Sequence, residues 1–194
     1  MPPKQKITKN MVLKAGFDIA RRDGIESVNS RSIAEALSCS TQPIFSCFAT
    51  MEELRKGVFD FACDKCVDEI LEHENSPDLL NLSTKWYINL MRNEPHLYKL
   101  LYFSNGFSQG SFHGLISNYT SNQVIISKLR NMYDLEAPIG EDILLRVFAL
   151  LHGIGALITF NNLEMDDAEI ANMVKRTAAD MTRCAKAEDR SIRQ

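Results

Sequence analysis

The chain predicts an all-α protein, and three observations carry that expectation. Apolar residues recur at helical spacing in one segment after another, brief breakers separate the segments, and no alternating strand pattern holds up. The breakers are Asn75-Ser76-Pro77, Asn93-Glu94-Pro95, the stretch from Ser104 to Ser111 with its two glycines, Ala137-Pro138, and Asn161 to Asp167. Helices are therefore expected at about 79–93, 95–104, 112–133, 139–161 and 166–187, after an N-terminal group that ends in a long helix from Thr50 to about Glu74. A chain of 194 residues can bury a good core, as one domain or two small ones.

The N-terminal group carries the most local signal, in NSRSIAEALSCSTQPIFSCFATMEEL from Asn29 to Leu54. Asn29 suits a helix cap, because its short side chain accepts a hydrogen bond from an otherwise unpaired N–H of the first turn. Ile33, Ala34 and Leu37 follow at helical spacing, and Ser38-Cys39-Ser40 allows a tight turn with Ser40 or Thr41 capping the next helix. Pro43 fits only near a helix start, where a missing N–H costs nothing. Ile44, Phe45 and Phe48 supply an apolar side, and Thr50 with Glu53 forms a capping box for the third helix. Helix, turn, helix and capped third helix suit a helix-turn-helix, which lays its second helix in the major groove of DNA. Phosphate contacts would then come from Ser30, Arg31 and Thr50 with the N-terminal arm. Ser40 would sit at the start of the reading helix, and Thr41, Gln42, Pro43 and Ser46 would meet bases. Glutamine can bond adenine in both directions, and a threonine methyl or proline ring can pack on a thymine methyl.

From about Val12 to Leu54 the sequence resembles, without gaps, the N-terminal domain of the TetR family of bacterial transcriptional regulators. The resemblance runs through Val12-Leu13, Ala15-Gly16-Phe17, Ile19-Ala20, Gly24, Ile33-Ala34, Ser40, Ile44-Phe45, Phe48 and Glu52-Glu53-Leu54. Four positions depart from the family pattern. Ser38 stands where the turn usually has glycine, at some steric cost. Phe45 replaces a common tyrosine, a DNA-facing position in the family, and so lacks a hydroxyl for phosphate. Cys47 replaces a frequent histidine or aromatic. Met51 replaces a lysine that meets the DNA backbone, which should remove about one phosphate contact and lower the salt dependence. The resemblance implies a homodimer on a palindromic operator, acting most simply as a repressor released by a small molecule held among the central helices. That gives a domain of residues 1–54, its last helix continuing as a spine to about 74, and a larger helical effector-binding and dimerisation domain of residues 55–194.

Charge is distributed in keeping with this. The net charge is −3, yet residues 1–50 hold seven basic and four acidic side chains, so a small basic unit precedes an acidic body. Five cysteines and no secretory leader suggest free thiols in a reducing, cytoplasmic setting. Cys63 and Cys66 lack the two further ligands a zinc site needs, so packing is the simpler role. His73, His96, His113 and His152 have no metal-like partner at helical spacing, and no nucleophile–base pair, phosphate loop or paired carboxylates stands out. No metal, cofactor or catalytic residue is expected. The apolar run from Val147 to Phe160 reads as too short to span a bilayer, and it carries His152.

From Ile143 to Phe160 the only charged residue is Arg146, so the helix needs cover on most sides. The final helix carries a clean apolar stripe. Together the pair suits a four-helix interface between two copies, through Leu151, Ile154, Ile158, Ile170, Met173, Thr177 and Met181. Between this pair and the N-terminal group lie eight of the sixteen aromatic residues, packed within 34 positions, and no Asp or Glu occurs from Pro95 to Tyr133. An apolar cavity is expected there, walled by Trp86, Leu90, Tyr102, Phe103, Phe107, Phe112, Ile116, Phe148 and His152. It would take a hydrophobic, neutral or weakly anionic effector. Two other classes stay open: a constitutive DNA-binding protein with no effector, and a helical carrier or enzyme that shares only the N-terminal pattern.

Overall fold

A computed structural model of the chain describes residues 6–104 and 120–192, and all regular secondary structure among them is helical. The elements are α1 (Lys9–Asp23), a 3-10 turn (Ile25–Ser27), α2 (Ser30–Ala36), α3 (Gln42–Cys47), α4 (Met51–Leu71), α5 (Leu79–Asn93), α6 (Pro95–Phe103), α7 (Thr120–Tyr133), α8 (Ala137–Asn161) and α9 (Asp167–Ile192). Packing groups the described parts of Met1–Cys66 and Glu94–Ser108 into one compact unit, and those of Val67–Asn93 and Gln109–Gln194 into another. The division falls inside α4, and α6 belongs with the N-terminal helices, a grouping that the 1–54 and 55–194 split does not contain.

In the first unit α1, α2 and α3 pack on one another and on the start of α4. Val12, Ala20, Val28, Ile33, Leu54 and Val58 are fully buried, with Ile44 and Phe48 nearly so. Apart from Ala20, each such side chain contributes about 1.5–3 kcal/mol of apolar transfer. Thr8 caps α1 through its side chain, and Gly24 ends it at φ +89°, a conformation that glycine takes without strain. α6 lies on α1 through Leu97, Tyr98 and Leu100. Arg21 Nε donates to Glu94 Oε2 at 2.6 Å, and a second arm of the guanidinium completes a bidentate pair.

Gly16 lets α1 approach the side chains of α4 closely. A Cβ there would stand 2.6 Å from a γ-methyl of the fully buried Val58, whose branched side chain has little room to turn. Gly16→Ala should therefore cost about 1–2 kcal/mol net, overpacking outweighing alanine's better helix propensity. Chemical denaturation of wild type and Gly16→Ala reads the difference directly, and equal midpoints would overturn it.

In the second unit α8 packs against α5, α7 and α9, and α9 also meets α5. Arg92 Nε donates to Asp167 Oδ1 at 2.5 Å, tying the end of α5 to the start of α9. α8 closes at Asn162, left-handed at φ +53°, with the Leu163 N–H returning to the Leu157 carbonyl at 3.1 Å. The helix lies where the breakers put it, at about 139–161, but its apolar extent corrects the reading that this segment is too short to span a bilayer. The helix extends well beyond Val147–Phe160, because its less apolar first turns are helical too. Pro138–Asn161 is long and apolar enough to cross a membrane by length and composition, with mean hydropathy 2.0 and 33% of its most apolar window buried.

The same helices settle which apolar residues the chain covers by itself. Ile170 is fully buried, and Leu151 and Ile154 retain only 6% and 7% exposure, so these three belong to the chain's own core. Ile158, Thr177 and Met181 are half-buried, and Met173 is exposed. Exposed apolar surface lies instead at Leu157, Phe160 and Leu163, which the sequence reading did not single out.

Candidate nucleic-acid interface

The segment from Asn29 to Thr50 is held by short-range hydrogen bonds that its residue types make available. Asn29 Oδ1 accepts from the N–H groups of Arg31 and Ser32 at 3.0 and 3.1 Å, and Ser32 Oγ accepts from the Asn29 N–H at 3.1 Å. This closes a capping box at the start of α2. The turn that follows has Ser38 at φ +50°, the left-handed position at which glycine is easier. The Ser38 and Cys39 N–H groups return to the carbonyls of Glu35 and Ala34. Thr41 then stands at the N-cap of α3, but its hydroxyl makes no capping bond, contrary to expectation. Its backbone is already α-like at φ −72°, ψ −19°, which leaves the side chain out of reach of the first-turn N–H groups. The Thr50 hydroxyl does cap α4, accepting from the Glu53 N–H at 3.0 Å, while the Glu53 carboxylate accepts from Ala49 N–H at 2.8 Å, one residue earlier than the ordinary box.

α3 divides cleanly. Ile44 and Phe48 point inward, at 1% and 2% exposure. Gln42, Phe45 and Ser46 are exposed, Phe45 at 51%, whereas Thr41, Pro43 and Cys47 are half-buried. Phe45 therefore contributes little to the inward apolar side that the sequence suggested. The Ser46 hydroxyl donates to the Gln42 carbonyl at 3.0 Å. Ser40 is exposed on the approach to α3, and Ser30 is half-buried beside the exposed Arg31 in the first turn of α2.

The cations of the first unit stand in two conditions. Arg21 is held by Glu94, and Arg22 by Asp23, whose carboxyl that hydrogen bond keeps below the ordinary carboxylate range. Lys9 lies 4.7 Å from the centre of the Phe48 ring and 3.9 Å from Glu53, which fastens the start of α1 to the α3–α4 junction. Arg31, Lys14 and Lys6 make no ion pair among the described residues. Those three are the cations most available to phosphate.

The expected effector wall is brought together only in part. Phe107, Phe112 and Ile116 lie outside the described residues. Tyr102 and Phe103 sit in the first unit, each 5.4 Å from Tyr98. In the second unit Leu90 is buried, and Trp86 lines a surface groove of about 410 Å³ with Glu69, His73 and Leu82, donating its indole N–H to Glu69 at 2.9 Å. A carboxylate thus stands beside the tryptophan, outside the acid-free stretch.

Phe148 and His152 do come together. Their rings stack at 5.6 Å and 17°, the Tyr87 hydroxyl lies 3.1 Å from His152 Nδ1, and Tyr87 meets Phe148 edge-on at 6.4 Å. Tyr87 is the member the sequence reading left out of the wall. Its partner His152 lies 65 residues away, a pairing that leaves no signal in the local sequence pattern.

Half-burial pushes the His152 pKa below its ordinary 6.5, so the imidazole is neutral at pH 7. A histidine with a lowered folded-state value contributes stability that is present above 6.5 and lost as pH falls through the folded value. The unfolding midpoint should accordingly fall between pH 7 and pH 5, and His152→Gln should flatten that slope. Equal slopes in thermal melts of the two proteins would assign the pH dependence elsewhere.

Among the described residues no three His, Cys, Asp or Glu side chains are placed to hold a metal ion, and all five cysteines are free. Comparison of the chain with protein-family models and with curated proteins finds no match.

Proposed function

We propose that the chain is a DNA-binding transcriptional regulator, acting in the cytoplasm as a homodimeric repressor on a palindromic operator. The observation that carries this reading is the α2–turn–α3 segment. A helix of only six residues, braced from behind by Ile44 and Phe48, offers Gln42, Phe45 and Ser46 to solvent, beside a capped α2 with an unpaired Arg31. So short a helix has no stability of its own, and a scaffold that holds it outward suits a part that enters a groove. Selection of bound duplexes from a random-sequence library by the full chain is the direct test. Enrichment of an inverted repeat supports the reading, and binding that is weak and indifferent to sequence overturns it.

A second copy would cover the apolar surface that one chain leaves open on α8 at Ala149, Gly153 and Leu157, and on α9 at Met173. The effector would be hydrophobic and neutral or weakly anionic. The Tyr87–Phe148–His152 cluster supports its apolar character, as a group of stacked and edge-on rings whose phenol and imidazole bond each other. Such a ligand releases DNA only by binding one state better than the other. It should change Trp86 fluorescence and free the operator over the same concentration range. A screen in which only cationic dyes release DNA would overturn the charge assignment.

A further inference from the structure

If α3 is the reading helix, its side chains also restrict what it reads, and we infer that each half-site is built from A·T pairs recognised in large part through thymine methyl groups. This rests on the function proposed above. Residues 36–51 hold no charged side chain. Guanine presents two acceptors in the major groove and is read chiefly by arginine or lysine, and α3 has neither.

Of the polar groups that remain, Gln42 matches adenine most closely. Gln42 is exposed and its amide makes no hydrogen bond among the described residues, so it offers a donor and an acceptor side by side, the complement of adenine N7 and N6. Ser46 spends its one hydroxyl proton on the Gln42 carbonyl, at 3.0 Å. It keeps only lone pairs, which can accept from an adenine or a cytosine amino group but cannot donate to guanine.

Phe45 supplies the apolar half. It is a large hydrophobic side chain at 51% exposure, one residue from Ile44 at 1%, so the fold turns it outward. The thymine C5 methyl is the apolar group that the major groove presents. Thr41 and Pro43, both half-buried, bring further carbon to the same end of the helix.

The experiment uses the full chain and its best selected duplex, with dT replaced by dU one position at a time. An A·U pair keeps every hydrogen-bonding edge and loses only the methyl. At contacted positions binding should weaken about 3–4-fold per methyl removed. Phe45→Ala should lose affinity for the dT duplex and much less for the dU duplex, whereas Phe45→Leu should keep most of the preference. Circular dichroism would verify that both variants fold, which their exposed position favours.

Half-sites centred on G·C pairs, or dU substitution without effect at every position, would overturn this inference and leave the regulator reading standing. Equal loss on dT and dU duplexes with Phe45→Ala would overturn the part given to Phe45, as for a ring wedged between base steps. Absence of any sequence-selective binding would overturn the regulator reading, and this inference with it.

Discussion

Leu157→Glu should convert a dimer into a monomer without unfolding the chain. Leu157 is 47% exposed on the outer side of α8, so a carboxylate there stays in water while the protein is a single copy. In a two-fold interface the substitution appears twice, and each charge loses solvent with no partner. Burying an unpaired charge costs several kcal/mol, so the dimerisation constant should weaken by roughly a thousand-fold or more. Analytical ultracentrifugation at low micromolar concentration reads the result directly. Operator affinity should fall with it, because each monomer then reads one half-site. Ile154→Glu is the informative contrast. With 7% exposure in the single chain, it should lower the melting temperature before it says anything about assembly. A wild-type protein that sediments as a monomer, or a Leu157→Glu variant that remains dimeric, would overturn the assignment of this face.

What could be read in the sequence was what neighbours along the chain decide. Asn29 caps α2 as its short side chain implied, the reciprocal bond from Ser32 being added by the structure, and Ser38 takes the strained turn position that its replacement of glycine implied. Pro95 opens α6, and Asn93-Glu94 ends α5, where the breakers put them. Long-range pairs were invisible. Arg21 and Glu94 lie 73 residues apart, Tyr87 and His152 lie 65 apart, and neither pair leaves a periodic trace. This is why α6 is grouped with the N-terminal helices only once the packing is known, and why Tyr87 was absent from the expected effector wall. Periodicity also cannot separate an apolar stripe that faces the chain's own core from one that faces a partner. Ile170 and Met173 share the stripe of α9, yet one is fully buried and the other is 38% exposed.

Gln42→Ala and Arg31→Ala should separate recognition from attraction. Gln42 is exposed at the first position of α3 with an amide unengaged among the described residues, so on the proposed reading its removal takes away a base contact and disturbs no core. The loss at the selected operator should be roughly 1–3 kcal/mol, a factor of about 5 to 150, with little change on random duplex. Arg31 is exposed in the first turn of α2 and makes no ion pair, so it can neutralise a phosphate whatever the base. Arg31→Ala should weaken operator and random DNA alike and reduce the slope of log affinity against log salt by about one. The backbone of α2 should be indifferent to that change, because the cap is made by the Arg31 N–H and not by its side chain. Titrations at several salt concentrations on both duplexes give all four comparisons. If Gln42→Ala loses as much on random DNA as on the operator, it touches backbone and not bases. If Arg31→Ala leaves the salt slope unchanged, phosphate neutralisation falls to Lys6 and Lys14, the other described cations of this unit without an ion pair.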